Sequence, residues 1–101
     1  MTELTIKLLT IFTETAIESL LINDLEEHGA QGYTITNARG KGSKGVRAAS
    51  WEANSNIRIE VICTEKVAEK LIQHLQEKYY DNYAMVAFTC DVSVLRPEKF
   101  K

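Results

Sequence analysis

Two kinds of apolar spacing take turns along this chain, and their order leaves few folds open. Leu4 to Phe12 alternates, with Leu4, Ile6, Leu8 and Phe12 on one face and Thr5, Lys7, Leu9 and Ile11 on the other, the period of a strand. Thr15-Ala16-Ile17-Glu18 fits a capping box, and Ile17, Leu20, Leu21 and Leu25 follow at helical spacing. His28-Gly29 suits a helix end, because histidine faces the negative pole and glycine accepts the left-handed cap. Gly32 to Asn37 reads as a short strand with Tyr33 and Ile35 on one face. Ile57, Ile59, Val61 and Cys63 give a second clean alternation. Thr64 caps a helix in which Val67, Leu71, Leu75 and Tyr79 recur every four residues beside Ala68 and Ile72. Asp81-Asn82 turns the chain into Ala84, Val86, Phe88, Cys90 and Val92.

The order β-α-β-β-α-β predicts an α+β, ferredoxin-like fold: one antiparallel sheet with both helices on one face. The other face is left bare. Leu9, Ile11, Ile62, Met85 and Ala87 are expected there, and a contiguous apolar patch of that kind marks an interface. A closed homo-oligomer covers it most simply.

The 101 residues suit a single domain over 1–101, with a short polar tail at 95–101. At 45% hydrophobic and 26% charged, the chain can build a core and stay soluble. No apolar run approaches the ~20 residues of a membrane span. Met1-Thr2-Glu3 lacks a basic n-region, so no signal peptide is expected and a cytoplasmic location follows. Cys63 and Cys90 sit in apolar runs and are expected to be buried, reduced thiols.

The segment from about 38 to 55 separates two strands and is too long for a structural connection alone. Arg39, Lys41, Lys44 and Arg47 stand there against Glu52 only. That is a local net charge of +3 on a chain of −2, leaving −5 elsewhere. Gly40, Gly42 and Gly45 alternate with the cations. Glycine lets successive amides turn inward to form an anion-binding concavity, and arginine grips a phosphate through two donors. A positive island on an acidic body favours one anionic ligand over a nucleic acid, which calls for a basic face. Gly40-Lys41-Gly42-Ser43-Lys44-Gly45 spells G-x-G-x-x-G, but no helical stripe follows it and Glu60 lies in a strand, so a dinucleotide fold is excluded. The pattern of a P-loop is also missing. Trp51 suits a docking tip better than a solvated linker.

No nucleophile has a neighbouring base, and His28 and His74 lack ligand spacing, so neither a catalytic set nor a metal site is read here. Asp81 and Asp91 have nothing that places them together. Tyr79, Tyr80 and Tyr83 read either as packing residues or as an aromatic wall for a base.

Gly29-Ala30-Gln31-Gly32-Tyr33-Thr34, Gly40-Lys41-Gly42-Ser43-Lys44-Gly45-Val46-Arg47 and Tyr79-Tyr80-Asp81-Asn82-Tyr83-Ala84 together resemble the PII-like signalling proteins. The resemblance runs nearly the whole length and is nearest to the SbtB type, which regulates the bicarbonate transporter SbtA. It implies a homotrimer with adenine nucleotides (AMP, ADP, ATP and cAMP) in clefts between subunits. Lys41, Gly42, Ser43, Lys44 and Arg47 would surround the phosphates at the base of the long T-loop, about 38–55. Gly32, Tyr33 and Thr34 would line the base and sugar. Tyr83, Ala84 and Met85 would meet adenine, largely through backbone groups. Met85 would stand where relatives carry glycine, which backbone contacts tolerate, although a bulkier residue there would narrow the cleft. Lys44 replaces a frequent arginine and keeps the charge without the two-pronged grip. The cysteine-bearing tail of some relatives is missing, so redox sensing and hydrolysis are not carried over.

The implied function is a nucleotide sensor, not an enzyme. Its T-loop, with Trp51, docks on a membrane bicarbonate transporter from the cytoplasm, without insertion of its own. The rival is an RNA-binding module of the same topology, which calls for aromatic residues on the middle strands. Ile57 to Cys63 has none. A small enzyme or metal binder on the same trimeric architecture lacks its ligand cluster.

Overall fold

The computed structural model describes residues 5–40 and 56–100. Strand β1 spans Ile6–Glu14, helix α1 Glu18–Glu27, β2 Thr34–Ala38, β3 Asn56–Thr64, α2 Glu65–Lys78 and β4 Met85–Asp91. Short 3-10 turns occupy Thr15–Ile17 and Pro97–Phe100. The strands form one sheet in the order β2-β3-β1-β4, with every pairing antiparallel. The predicted α+β, ferredoxin-like architecture is the one observed.

The core lies between one sheet face and the two helices. Leu9 and Ile11 of β1 and Ile57, Ile59, Val61 and Cys63 of β3 pack beneath Leu21, Leu25, Ala68, Leu71, Leu75 and Tyr79. Met85 and Ala87 join this cluster from β4. The expectation for the bare face is therefore corrected: of the five residues named, only Ile62 lies there. Register explains the exchange. β3 is apolar without a break at Ile57, Ile59, Val61 and Cys63, whereas Arg58 and Glu60 interrupt its other face. Pairing places Leu9 opposite Val61 and Ile11 opposite Ile59, so β3 decides which face of β1 turns inward. The bare face instead aligns Leu8 between Ile62 and Cys90, and Phe12 between Arg58 and Val86. Phe12 and Phe88 stack there with ring centroids 6.4 Å apart. Val86 is 56% and Phe88 47% exposed.

Local signals were met unevenly. Thr64 accepts from the Val67 amide at 3.3 Å and starts α2 as expected. The capping box at Thr15 does not form. The chain makes a 3-10 turn there and enters α1 at Glu18 with no side-chain cap, because Ile17 is drawn into the core. Leu20, placed on the apolar stripe, is half exposed. His28 Nδ1 lies 2.8 Å from the Asp24 carbonyl and Gly29 takes φ +100, so α1 ends as read. Cys63 is buried and Cys90 exposed, both as free thiols. Cys90 departs from expectation because it lies on the uncovered face.

Candidate ligand-binding site

Strand register fixes where the predicted site residues stand. Thr34 opens β2 opposite Glu60, and Ala38 closes it opposite Asn56, which pairs in turn with Glu14. Tyr33 is half buried against the core. Gly32 and Gly40 are exposed, with open space where a Cβ would project. Lys41, Gly42, Ser43, Lys44, Arg47 and Trp51 lie outside the described residues. On β4, Met85 pairs with Thr13, with Tyr83 and Ala84 just before it. The loop base after Ala38 and the turn before Met85 thus share one end of the sheet.

They do not share an edge. β2 and β4 are the two outer strands, three inter-strand steps of about 4.8 Å apart, roughly 14 Å across. One chain therefore presents the two halves of the predicted site on opposite flanks. A groove of about 450 Å³ bounded by Lys7, Glu65, Glu69, Ile72, Gln73 and Thr89 lies at the other end of β1 and includes none of them.

The turn that carries Tyr83 and Ala84 is anchored from α2. Tyr79 is 1% exposed, and its carbonyl accepts from the amides of Asn82 and Tyr83 at 3.0 Å each. Its ring lies 5.9 Å from that of Tyr83. Its hydroxyl donates to the carboxylate of Asp24. Asp24 also accepts from Lys78 Nζ at 3.1 Å through both oxygens. His74 Nε2 stands 3.2 Å away at ion-pair distance. Burial pushes the Asp24 carboxyl up, but donors from Tyr79, Lys78 and His74 outweigh that and hold it below its ordinary range. Burial first, and then the bond to the Asp24 anion, push the Tyr79 phenol up.

Sequence reading left His28 and His74 apart, whereas the fold brings their rings to 4.2 Å between centroids. Among the described residues, no group of three or more His, Cys, Asp or Glu is arranged to hold a metal. Asp24 was not singled out either, although a signal existed. It falls seven residues after Ile17 and three after Leu21, on the apolar stripe of α1, where a charged residue needs a partner. Of the three tyrosines, Tyr79 is a core residue, Tyr83 is half buried and Tyr80 is 42% exposed.

The model of the family described as nitrogen regulatory protein P-II matches residues 6–99. A crystal structure of a PII-like signalling protein from Thermus thermophilus is 44% identical and superposes with a TM-score of 0.81, over 99% of this chain and 100% of that one. CPII from Thiomonas intermedia, bound to ADP and bicarbonate, is 30% identical with a TM-score of 0.82 over 98% of each chain. Another structure of CPII holds ADP, AMP and acetate. The GlnK–ATP complex of B. subtilis shares the fold at 18% identity and a TM-score of 0.68, over 96% of this chain and 92% of that one.

Proposed function

Because this chain belongs to the nitrogen regulatory protein P-II family, we propose that it is a nucleotide-sensing regulator. It works as a homotrimer and binds AMP, ADP, ATP and cAMP in clefts between subunits. The observation that carries this reading is the split site. The cationic loop base leaves β2 on one edge of the sheet, and the Tyr83–Met85 turn enters β4 on the other. Each half is open to completion by a second copy. The bare face of Leu8, Phe12, Ile62, Val86 and Phe88 supplies an apolar surface for that copy. The ADP and AMP held by CPII support an adenylate as the ligand.

In this reading Lys41, Gly42, Ser43, Lys44 and Arg47 take the phosphates of one subunit's nucleotide, and Gly32, Tyr33 and Thr34 flank its base and sugar. Tyr83, Ala84 and Met85 stand at the adenine. The protein is of the SbtB type and regulates rather than catalyses. Nucleotide contacts order or release the T-loop, and the loop, through Trp51, then docks on or leaves a membrane bicarbonate transporter. CPII's bound bicarbonate agrees with a link to inorganic carbon.

A thermal-shift panel of adenine and guanine nucleotides tests the ligand class, since a ligand selective for the native state raises its melting temperature. Stabilisation by adenylates and not by guanylates is expected, with a trimeric mass by light scattering. A monomer indifferent to every adenylate refutes the proposal.

A further inference from the structure

β1 and β4 pair as far as Thr13 and Met85. One residue further, two side chains take over from the backbone ladder. The Ala84 N–H donates to Glu14 Oε2 at 2.8 Å, and the Ala84 carbonyl accepts from Thr13 Oγ1 at 2.8 Å. Thr13 and Glu14 are consecutive strand residues, so they leave opposite faces of the sheet. Thr13 is fully buried among the core strands, and Glu14 is half buried on the bare side. Together they grip one residue's backbone from above and below. From the helix side, Tyr79 holds the amides of Asn82 and Tyr83. The segment before β4 is thus tied at both ends, and no residue in it takes a positive φ.

We infer that Thr13 and Glu14 are positioning residues for the nucleotide-reading turn. This rests on the proposed role of Tyr83, Ala84 and Met85 at the base. The end of β1 sets the height and tilt of the Ala84 backbone before any ligand arrives, so the binding edge is formed in advance rather than by the ligand. Preformed geometry raises affinity by removing the cost of ordering. The clamp has a second consequence. The N–H of Ala84 is engaged within the chain, whereas its C=O accepts one bond from Thr13 and keeps a second lone pair that a ligand can use, so the backbone reaches a ligand as a fixed acceptor rather than as a donor.

The test uses full-length Glu14→Ala, Glu14→Gln and Thr13→Val with three readouts: exchange of the Ala84 amide hydrogen without ligand, calorimetric affinity for AMP, and melting temperature. Glu14→Ala removes the acceptor. It is expected to speed Ala84 exchange at least ten-fold and to weaken AMP by about ten-fold, the scale of one hydrogen bond to a charged group. Glu14→Gln keeps a carbonyl acceptor and is expected to recover most of both effects, which a general loss of stability would not do. Thr13→Val keeps the shape, removes the donor, and is expected to weaken AMP several-fold. Unchanged Ala84 exchange in Glu14→Ala overturns the clamp. Faster exchange with AMP affinity within two-fold of wild type overturns the positioning role. A wild type that binds no adenylate refutes the nucleotide reading itself and the positioning role with it. That result is recognisable because the unmutated protein already fails.

Discussion

Replacing Tyr79 by Phe probes the joint on which the turn before β4, proposed to meet the nucleotide, is hung. The ring is 1% exposed, and phenylalanine fills the same space, so no cavity forms. What is lost is a buried hydrogen bond from the hydroxyl to the Asp24 carboxylate. A bond to a charged group contributes about 1.5–3 kcal/mol. Asp24 keeps both bonds from Lys78 and the neighbouring His74, so its charge is not abandoned and the loss falls near the lower end, about 1.5–2 kcal/mol. For a chain of this size that is roughly 6–16 °C in melting temperature. Urea unfolding at fixed protomer concentration, which removes the mass-action effect of assembly, gives the number. A double-mutant cycle with Asp24→Ala isolates the pair and is expected to show about 1.5 kcal/mol of coupling. The pH response gives an independent check. The folded-state pKa of Tyr79 is raised, so its contribution is intact below the unfolded value near 10 and is lost as the pH rises beyond it. Wild type should therefore lose stability above about pH 10 faster than Tyr79→Phe does. A loss under about 0.5 kcal/mol, well below the range for a bond to a charged group, or no coupling to Asp24, refutes the reasoning.

The remaining expectations are simpler. Asp24 is held below its ordinary pKa, so its contribution is present above the unfolded value and lost as pH falls through the folded one. Asp24→Asn should flatten the acid limb of stability below about pH 4, read by urea midpoints across pH. Arg47→Ala should weaken AMP and cAMP about ten-fold or more in calorimetry if its charge-assisted contact with phosphate contributes about 1.5–3 kcal/mol; equal affinities remove Arg47 from the site. Deleting 48–53 should leave adenylate binding intact and abolish capture of a bicarbonate transporter from detergent extract; retained capture ends the docking role of the loop tip. Phe88→Glu places a charge on the bare face and should reduce the proposed homotrimer to monomers in sedimentation, and a surviving trimer moves the interface elsewhere.

Element order was legible because each segment carries one period. β3 alternates cleanly, and α2 repeats every four residues behind a threonine cap that the structure uses. The loop base carries its chemistry in the sequence alone, as glycines among clustered cations, but Lys41 to Arg47 lie outside the described residues and the anion-binding role stays a proposal. The Asp24–Tyr79 bond and the grip of Thr13 and Glu14 on Ala84 were not legible. They join residues 55, 71 and 70 positions apart, and a single sequence pairs such residues only through the fold. Which face of β1 turned inward was also hidden, for a reason that carries information. An amphipathic strand declares its face, whereas β1 offers Leu9 and Ile11 on one side and Ile6, Leu8 and Phe12 on the other. A central strand apolar on both faces, in a sheet whose helices cover only one, buries Ile6 within the chain but leaves Leu8 and Phe12 partly exposed beside the exposed Val86 and Phe88. The ambiguity that misassigned the bare face is therefore what the proposed assembly leads one to expect of the sequence. On the proposed reading it also accounts for a nucleotide site split over opposite edges: a chain that needs neighbours to cover its sheet has them at hand to complete its clefts.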